Sequence, residues 1–251
     1  MKIQLVRHAT LWIEYGGTTF LVDPMFSETG ANPPIPNTEN GRRNPLIPLP
    51  GPAAQWTAPD VMIVTHLHRD HWDQAAAEAL PKSTPVLCQP GDRQTFAEAG
   101  FRNVTEIQEH LDFGGILIHR TGGRHGTGEI GRAMGPVSGF VFQAEHEPSL
   151  YVAGDTIWCD EVKAALDAFK PQAVVVNAGG ARFLEGDPIT MTDMDIAKLA
   201  RYAPYTHITA VHMDSINHCL LTRDLLKIRL SNENLLDRVA IPNDGEWVEN
   251  A

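Results

Sequence analysis

Four residues of metal-ligand type fall within one short stretch, His66-Leu67-His68-Arg69-Asp70-His71. They follow directly on Val61-Met62-Ile63-Val64, an apolar run suited to a buried strand. A chain with this pattern needs a sheet whose buried strand opens at one end into a polar loop. Residues two apart in a strand point the same way, so His66 and His68 can converge if the extended geometry continues that far. Asp70 and His71 must then come from a turn. Four ligands this close in sequence would struggle to close around one ion, which favours two adjacent ions. Imidazole nitrogen and carboxylate oxygen suit zinc, manganese or iron.

A two-ion centre needs further ligands, and these are also expected after strands. His125 sits in Gly123-Arg124-His125-Gly126, just past an apolar run over 116–120. Asp155 lies in Ala153-Gly154-Asp155-Thr156 at the end of a run over 150–153, and His212 directly follows another over 208–211. His218 is the alternative to His212 as the last ligand; the position immediately after the strand favours His212.

The remaining patterning fits one α/β domain over residues 1–251. Short strands are expected over 3–7, 11–15, 18–22, 86–88, 104–107, 137–143 and 173–176, with a hairpin turn at Gly16-Gly17. Helices are expected over 74–80, 91–99, 161–169, 192–201 and 222–230. Asp73 reads as a helix cap or as a partner of the site, and Thr192 with Asp195 as a capping box. The tail reads as polar. An irregular Pro/Gly-rich stretch at about 25–59 interrupts the pattern; a loop of this length reads either as a flap beside a binding site or as a solvated surface loop.

At this point the chain resembles the metallo-β-lactamase superfamily: HxHxDH, a later His, a Gly-Asp-Thr and a final His, in that order. Its opening, Arg7-His8-Ala9-Thr10 through Glu14 with Asp23-Pro24, looks like the branch containing the ascorbate-phosphate lactonase and the N-acyl-phosphatidylethanolamine phospholipase. The resemblance implies an αβ/βα four-layer sandwich, two mixed β-sheets flanked by helices, with metals at one edge. It implies that His66, His68 and His125 hold one ion, that Asp70, His71 and His212 hold the other, and that Asp155 bridges them. Asp23 would support the site; His8 is either a donor behind the ligands or simply a strand histidine, and His218 and His8 are the candidates near the site to protonate a leaving group. The expected activity is hydrolysis of an ester, lactone, amide or phosphodiester of a small molecule by a metal-bridged hydroxide, with Asp70 as the catalytic carboxylate. Zinc is the first choice of metal.

Two rival readings remain. Leu5-Val6-Arg7-His8 resembles the opening of the histidine phosphatases, with His8 as nucleophile and Arg7 on phosphate, but Ala9 stands where that family has glycine. The other rival is a non-catalytic metal-binding module on the same scaffold. Iron redox chemistry would need an electron partner such as a flavin domain.

A formal charge of −11 opposes binding to nucleic acid or anionic lipid. An anionic substrate is still conceivable at a metal centre, with Arg42, Arg43 and Arg182 as contacts. No apolar run is long enough to span a membrane. The start of the chain lacks a signal-peptide core, and three cysteines without a CxxC read as reduced thiols, so a cytoplasmic location is expected.

Overall fold

Val61–Val64 is buried on both faces. In the computed structural model, which describes residues 1–248, Val61 and Ile63 enter one core while Met62 and Val64 enter another. Successive side chains of a strand alternate, so a strand between two apolar layers must be apolar throughout.

Two seven-stranded mixed sheets produce those layers. The first carries β1 (Lys2–Arg7), β2 (Thr10–Tyr15), β3 (Thr18–Val22), β4 (Val61–Val64), β5 (Val86–Cys88) and β6 (Val104–Glu106) in chain order. The second carries β7 (His110–Phe113), β8 (Ile116–Thr121), β9 (Gly139–Gln143), β10 (Leu150–Val152), β11 (Ala173–Asn177), β12 (His207–Val211) and β13 (Val239–Ala240). A last strand, β14 (Trp247–Val248), returns to the first sheet beside β1. Neighbours from β3 to β6 are parallel, as are those from β10 to β13; the other pairs are antiparallel.

Leu11, Ile13, Phe20 and Ile63 of the first sheet pack against Ile118, Phe140, Phe142 and Val175 of the second. Short helices α1 (Gln74–Ala79) and α2 (Arg93–Glu98) cover the outside of the first sheet through Ala76, Ala77 and Phe96. α3 (Gly128–Met134) follows β8. Then α4 (Asp160–Phe169), α5 (Asp193–Tyr202) and α6 (Arg223–Asn232) cover the second sheet through Val162, Leu166, Ile196, Leu199, Leu226 and Leu230. The order helix, sheet, sheet, helix is the four-layer sandwich that the sequence resemblance implies.

Several expected boundaries move. The strand expected over 137–143 starts only at Gly139, and the helix expected over 91–99 spans Arg93–Glu98. The capping box on α5 forms as expected, and Asp73 caps α1 by accepting from Ala76 N. The tail, read only as polar, contributes two short strands.

Residues 25–59 hold only a 3-10 turn at Ala53–Trp56 and an Asn32–Asn44 bridge, yet side chains from elsewhere grip them, Arg7, Asp73 and Asn217 among them. Buried Arg7 donates to the carbonyls of Met25, Ser27 and Ile47. Asp73 accepts from Phe26 N and Ser27 N. Asn217, 1% exposed, donates through Nδ2 to Ile35 O, Thr38 Oγ1 and Asn40 O. Its Oδ1 accepts from Ile35 N and Asn44 Nδ2, and its backbone N donates to Asn44 Oδ1. Removing that amide strands buried donors and acceptors. Asn217→Ala is expected to cost about 2 kcal/mol in urea unfolding and to open residues 32–44 to limited proteolysis. Wild-type stability with an unchanged digestion pattern would show that the loop is held some other way.

Candidate metal centre

Parallel strands point their carboxyl ends the same way, and these ends form one rim. Asp23 follows β3, His66 follows β4, Asp155 follows β10, Asn177 ends β11 and His212 follows β12. His8 lies in the turn between β1 and β2, and His125 between β8 and α3. Backbone strain gathers at this rim: His8, Asp23 and His212 have φ of 62°, 45° and 69°, a left-handed region unusual for such residues. Gly154, before Asp155, has φ of 68°, and a Cβ there would lie 2.6 Å from Ser138 O. A Cβ on Gly179 would lie 2.4 Å from His212 O, so both positions require glycine.

All seven expected ligands converge, in three overlapping groups. The first is His66, His68 and His125; the second is His8, Asp70, His71 and His212; the third is His66, His71 and Asp155. His68 Nδ1 lies 3.0 Å from His66 Nε2 and 3.2 Å from His125 Nε2. His71 Nε2 lies 3.2 Å from His212 Nε2 and 3.8 Å from Asp70 Oδ2. Asp155 faces both halves: Oδ2 lies 3.4 Å from His125 Nε2 and 3.3 Å from His71 Nε2, and Oδ1 lies 3.2 Å from His212 Nε2.

The surrounding hydrogen bonds fix which nitrogens carry protons. Asp23 accepts at Oδ1 from Thr65 N and at Oδ2 from the Thr65 hydroxyl and from His71 Nδ1–H. Thr65 Oγ1, having spent its proton on Asp23, accepts from His66 Nδ1–H at 3.0 Å. His125 Nδ1–H donates to Ile189 O at 2.8 Å. The Nε2 atoms of His66 and His125 are then bare lone pairs crowding His68 Nδ1, an arrangement that calls for a cation. Ligand atoms on a tetrahedral zinc with bonds of ~2.0–2.1 Å lie about 3.3 Å apart, close to the spacings observed. The donor set therefore fits metal ions of the zinc, manganese and iron kind.

Charge points the same way. Burial opposes ionisation at Asp70 and Asp155, yet His71 beside Asp70 and His212 and His71 beside Asp155 hold both well below the usual carboxylate range. Burial likewise disfavours the His71 imidazolium, but Asp155, Asp23 and Asp70 outweigh it and hold His71 well above its usual range. His66 is pushed well below by burial and by His71. Three buried carboxylates, Asp23, Asp70 and Asp155, gather here, an arrangement that is costly unless positive charge is bound among them.

Around the ligands, Asn177 Nδ2 donates to Asp155 Oδ1 at 2.6 Å, a contact that spacing in the sequence does not reveal. His8 Nε2 lies 3.0 Å from Asp70 Oδ2, its ring stacks on His212 at 3.6 Å, and its backbone oxygen accepts from His212 N. Burial and His212 push His8 down to about 3. The phosphatase reading is corrected here: His8 is fully buried against Asp70, and the Arg7 guanidinium is occupied by loop carbonyls, so neither presents a phosphate site.

Two small cavities border the ligands. One of about 160 Å³ is lined by His68, Asp70, His125, Asp155 and His218, with Ile35, Met134, Phe183 and Ile189 as apolar walls. Another of about 160 Å³ shares Ile35, Arg69 and Asp70 with it. A cavity of about 900 Å³ lies against α1 and α2 and is lined by none of the ligand side chains. Arg42, Arg43 and Arg182 line neither small cavity, and Arg43 donates to Gly30 O and Ala31 O instead.

Comparison with known proteins agrees with this geometry. The Beta-lactamase superfamily domain matches residues 18–213. The UPF0173 protein YddR of Bacillus subtilis is 36% identical over 98% of both chains. A UPF0173 metal-dependent hydrolase of Koribacter versatilis is 28% identical over 71% of this chain and 72% of its own. The crystal structure of isothiocyanate hydrolase from Delia radicum gut bacteria superimposes with a TM-score of 0.95 at 36% identity, covering 99% of each chain. The chain belongs to the metallo-β-lactamase superfamily and is a metal-dependent hydrolase.

Proposed function

We propose that the protein uses two metal ions, zinc by preference, to add water to an electrophilic carbon of a small uncharged molecule, of isothiocyanate type first and of ester, lactone or amide type second. His66, His68 and His125 hold one ion; Asp70, His71 and His212 hold the other; Asp155 serves both. Such a pair would supply a water acidified enough to act as hydroxide at neutral pH, and Lewis-acid polarisation of the substrate. Asp23, Thr65 and the Ile189 carbonyl fix three imidazoles in the ligand tautomer. Asp70, gripped at one oxygen by His8, borders both small cavities and is the carboxylate placed to orient the attacking water.

One observation carries the choice of substrate. The ligands open onto a cavity of about 160 Å³ walled by Ile35, Met134, Phe183 and Ile189. That space takes a compact apolar group; of the arginines, only the exposed Arg69 borders it. A phosphodiester would leave its charge against apolar walls, so this part of the expected substrate range is set aside. The related isothiocyanate hydrolase supports the same class.

The test compares zinc-loaded protein on phenyl isothiocyanate, phenyl acetate and bis(p-nitrophenyl) phosphate. The expected kcat/KM on the isothiocyanate is about 10⁴ M⁻¹s⁻¹ or more, with the phosphodiester at least about 100-fold lower. A preference for the phosphodiester would overturn the reading.

A further inference from the structure

We infer that His218 is the hydrogen-bond donor that meets the substrate heteroatom on which negative charge develops during attack. The inference rests on the substrate class just proposed. His218 lies outside all three ligand groups, yet it lines the small cavity together with His68, Asp70, His125 and Asp155. The residue is 6% exposed, and its Nδ1 is buried without a partner. A buried polar atom left unpaired costs free energy, and the imidazole that carries this one lines the cavity beside Asp70 and Asp155.

Other imidazoles of the rim differ in this respect. His66, His71 and His125 each commit a ring nitrogen to a protein acceptor. His8 Nδ1 is also unpartnered, but His8 is fully buried and lines neither small cavity. The position of His218 is fixed on both sides. Asn217 before it is bound to the 32–44 loop, and its own carbonyl accepts from Arg182 N. The Phe183 ring lies 6.3 Å from the imidazole. Burial pushes His218 down to about 4, so at neutral pH the ring is uncharged, with one N–H to give and one lone pair to receive.

On an isothiocyanate, R–N=C=S, the water oxygen forms the new C–O bond and the C=N π pair moves to nitrogen. The imidazole N–H donates a hydrogen bond to that nitrogen as its charge develops, and the proton released by the attacking water then goes to the nitrogen, leaving the imidazole unchanged. The product is the thiocarbamic acid, and no further reactant is needed. A fixed donor at the atom that gains charge acts in the transition state more than in the ground state.

The experiment compares wild type, His218→Ala and His218→Asn, all zinc-loaded, on para-methoxy, unsubstituted and para-nitro phenyl isothiocyanates. His218→Ala is expected to lose about 10²-fold in kcat/KM on the unsubstituted compound, mainly in kcat, with metal content unchanged. His218→Asn, which keeps an N–H donor and guards against a misfolded alanine variant, should recover part of that loss. Electron withdrawal stabilises the nitrogen anion without help, so the deficit should shrink from methoxy to nitro. An equal deficit for all three compounds, or none, overturns the role of His218 while leaving the proposed function standing. A wild type that turns over none of them overturns the proposed function, and the role of His218 with it.

Discussion

An Asp155→Ala protein is expected to keep its fold and lose at least about 10³-fold in kcat/KM, together with much of its bound metal. The two carboxylate oxygens of Asp155 approach imidazoles of both halves. Its Oδ2 lies within 3.4 Å of His125 and His71, and its Oδ1 is 3.2 Å from His212 and bonded to Asn177. Alanine removes the negative charge that offsets positive charge on both sides. Circular dichroism checks the fold, elemental analysis the metal, and turnover of the isothiocyanate the activity. Activity within tenfold of wild type in a folded protein would remove Asp155 from the shared position.

Metal removal should have the other large effect, and on stability as well as rate. The ligands come from both sheets and face one another only in the folded chain, so an ion binds the native state in preference to the unfolded one. Saturation at 1,000 times Kd then adds about 4.1 kcal/mol. For a chain of this length that corresponds to roughly 10 °C in Tm. Dialysis against a strong chelator should abolish turnover and lower Tm by that amount, and zinc or manganese should restore both. Activity persisting after complete removal would contradict a metal-dependent reaction.

How much of this could be read before the fold was known follows from the range of each interaction. Val61–Val64 and Ala173–Asn177 announce themselves because strands buried on both faces are apolar at every position. The HxHxDH loop is local for the same reason that a helix cap is: its members are neighbours in sequence. β7 escapes notice because it is an edge strand whose residues are half-buried or exposed. α3 hides in a stretch with two glycines, Gly128 and Gly131, that contributes no buried residue. The partnership of Asn177 with Asp155 and the grip of Arg7 and Asn217 on the long loop join residues far apart in sequence. Asp23 illustrates the limit: resemblance places it near the site, but its three bonds to Thr65 and His71 emerge only from the packed β3–β4 rim.

The backbone bond from His212 N to His8 O joins the two ends of the rim across the sheets. A nascent polypeptide exposes the HxHxDH loop long before His212 is synthesised, so a ribosome-bound chain offers an incomplete ligand set. The complete set of candidate ligands therefore forms only when the second sheet has packed against the first and His212 has docked on His8.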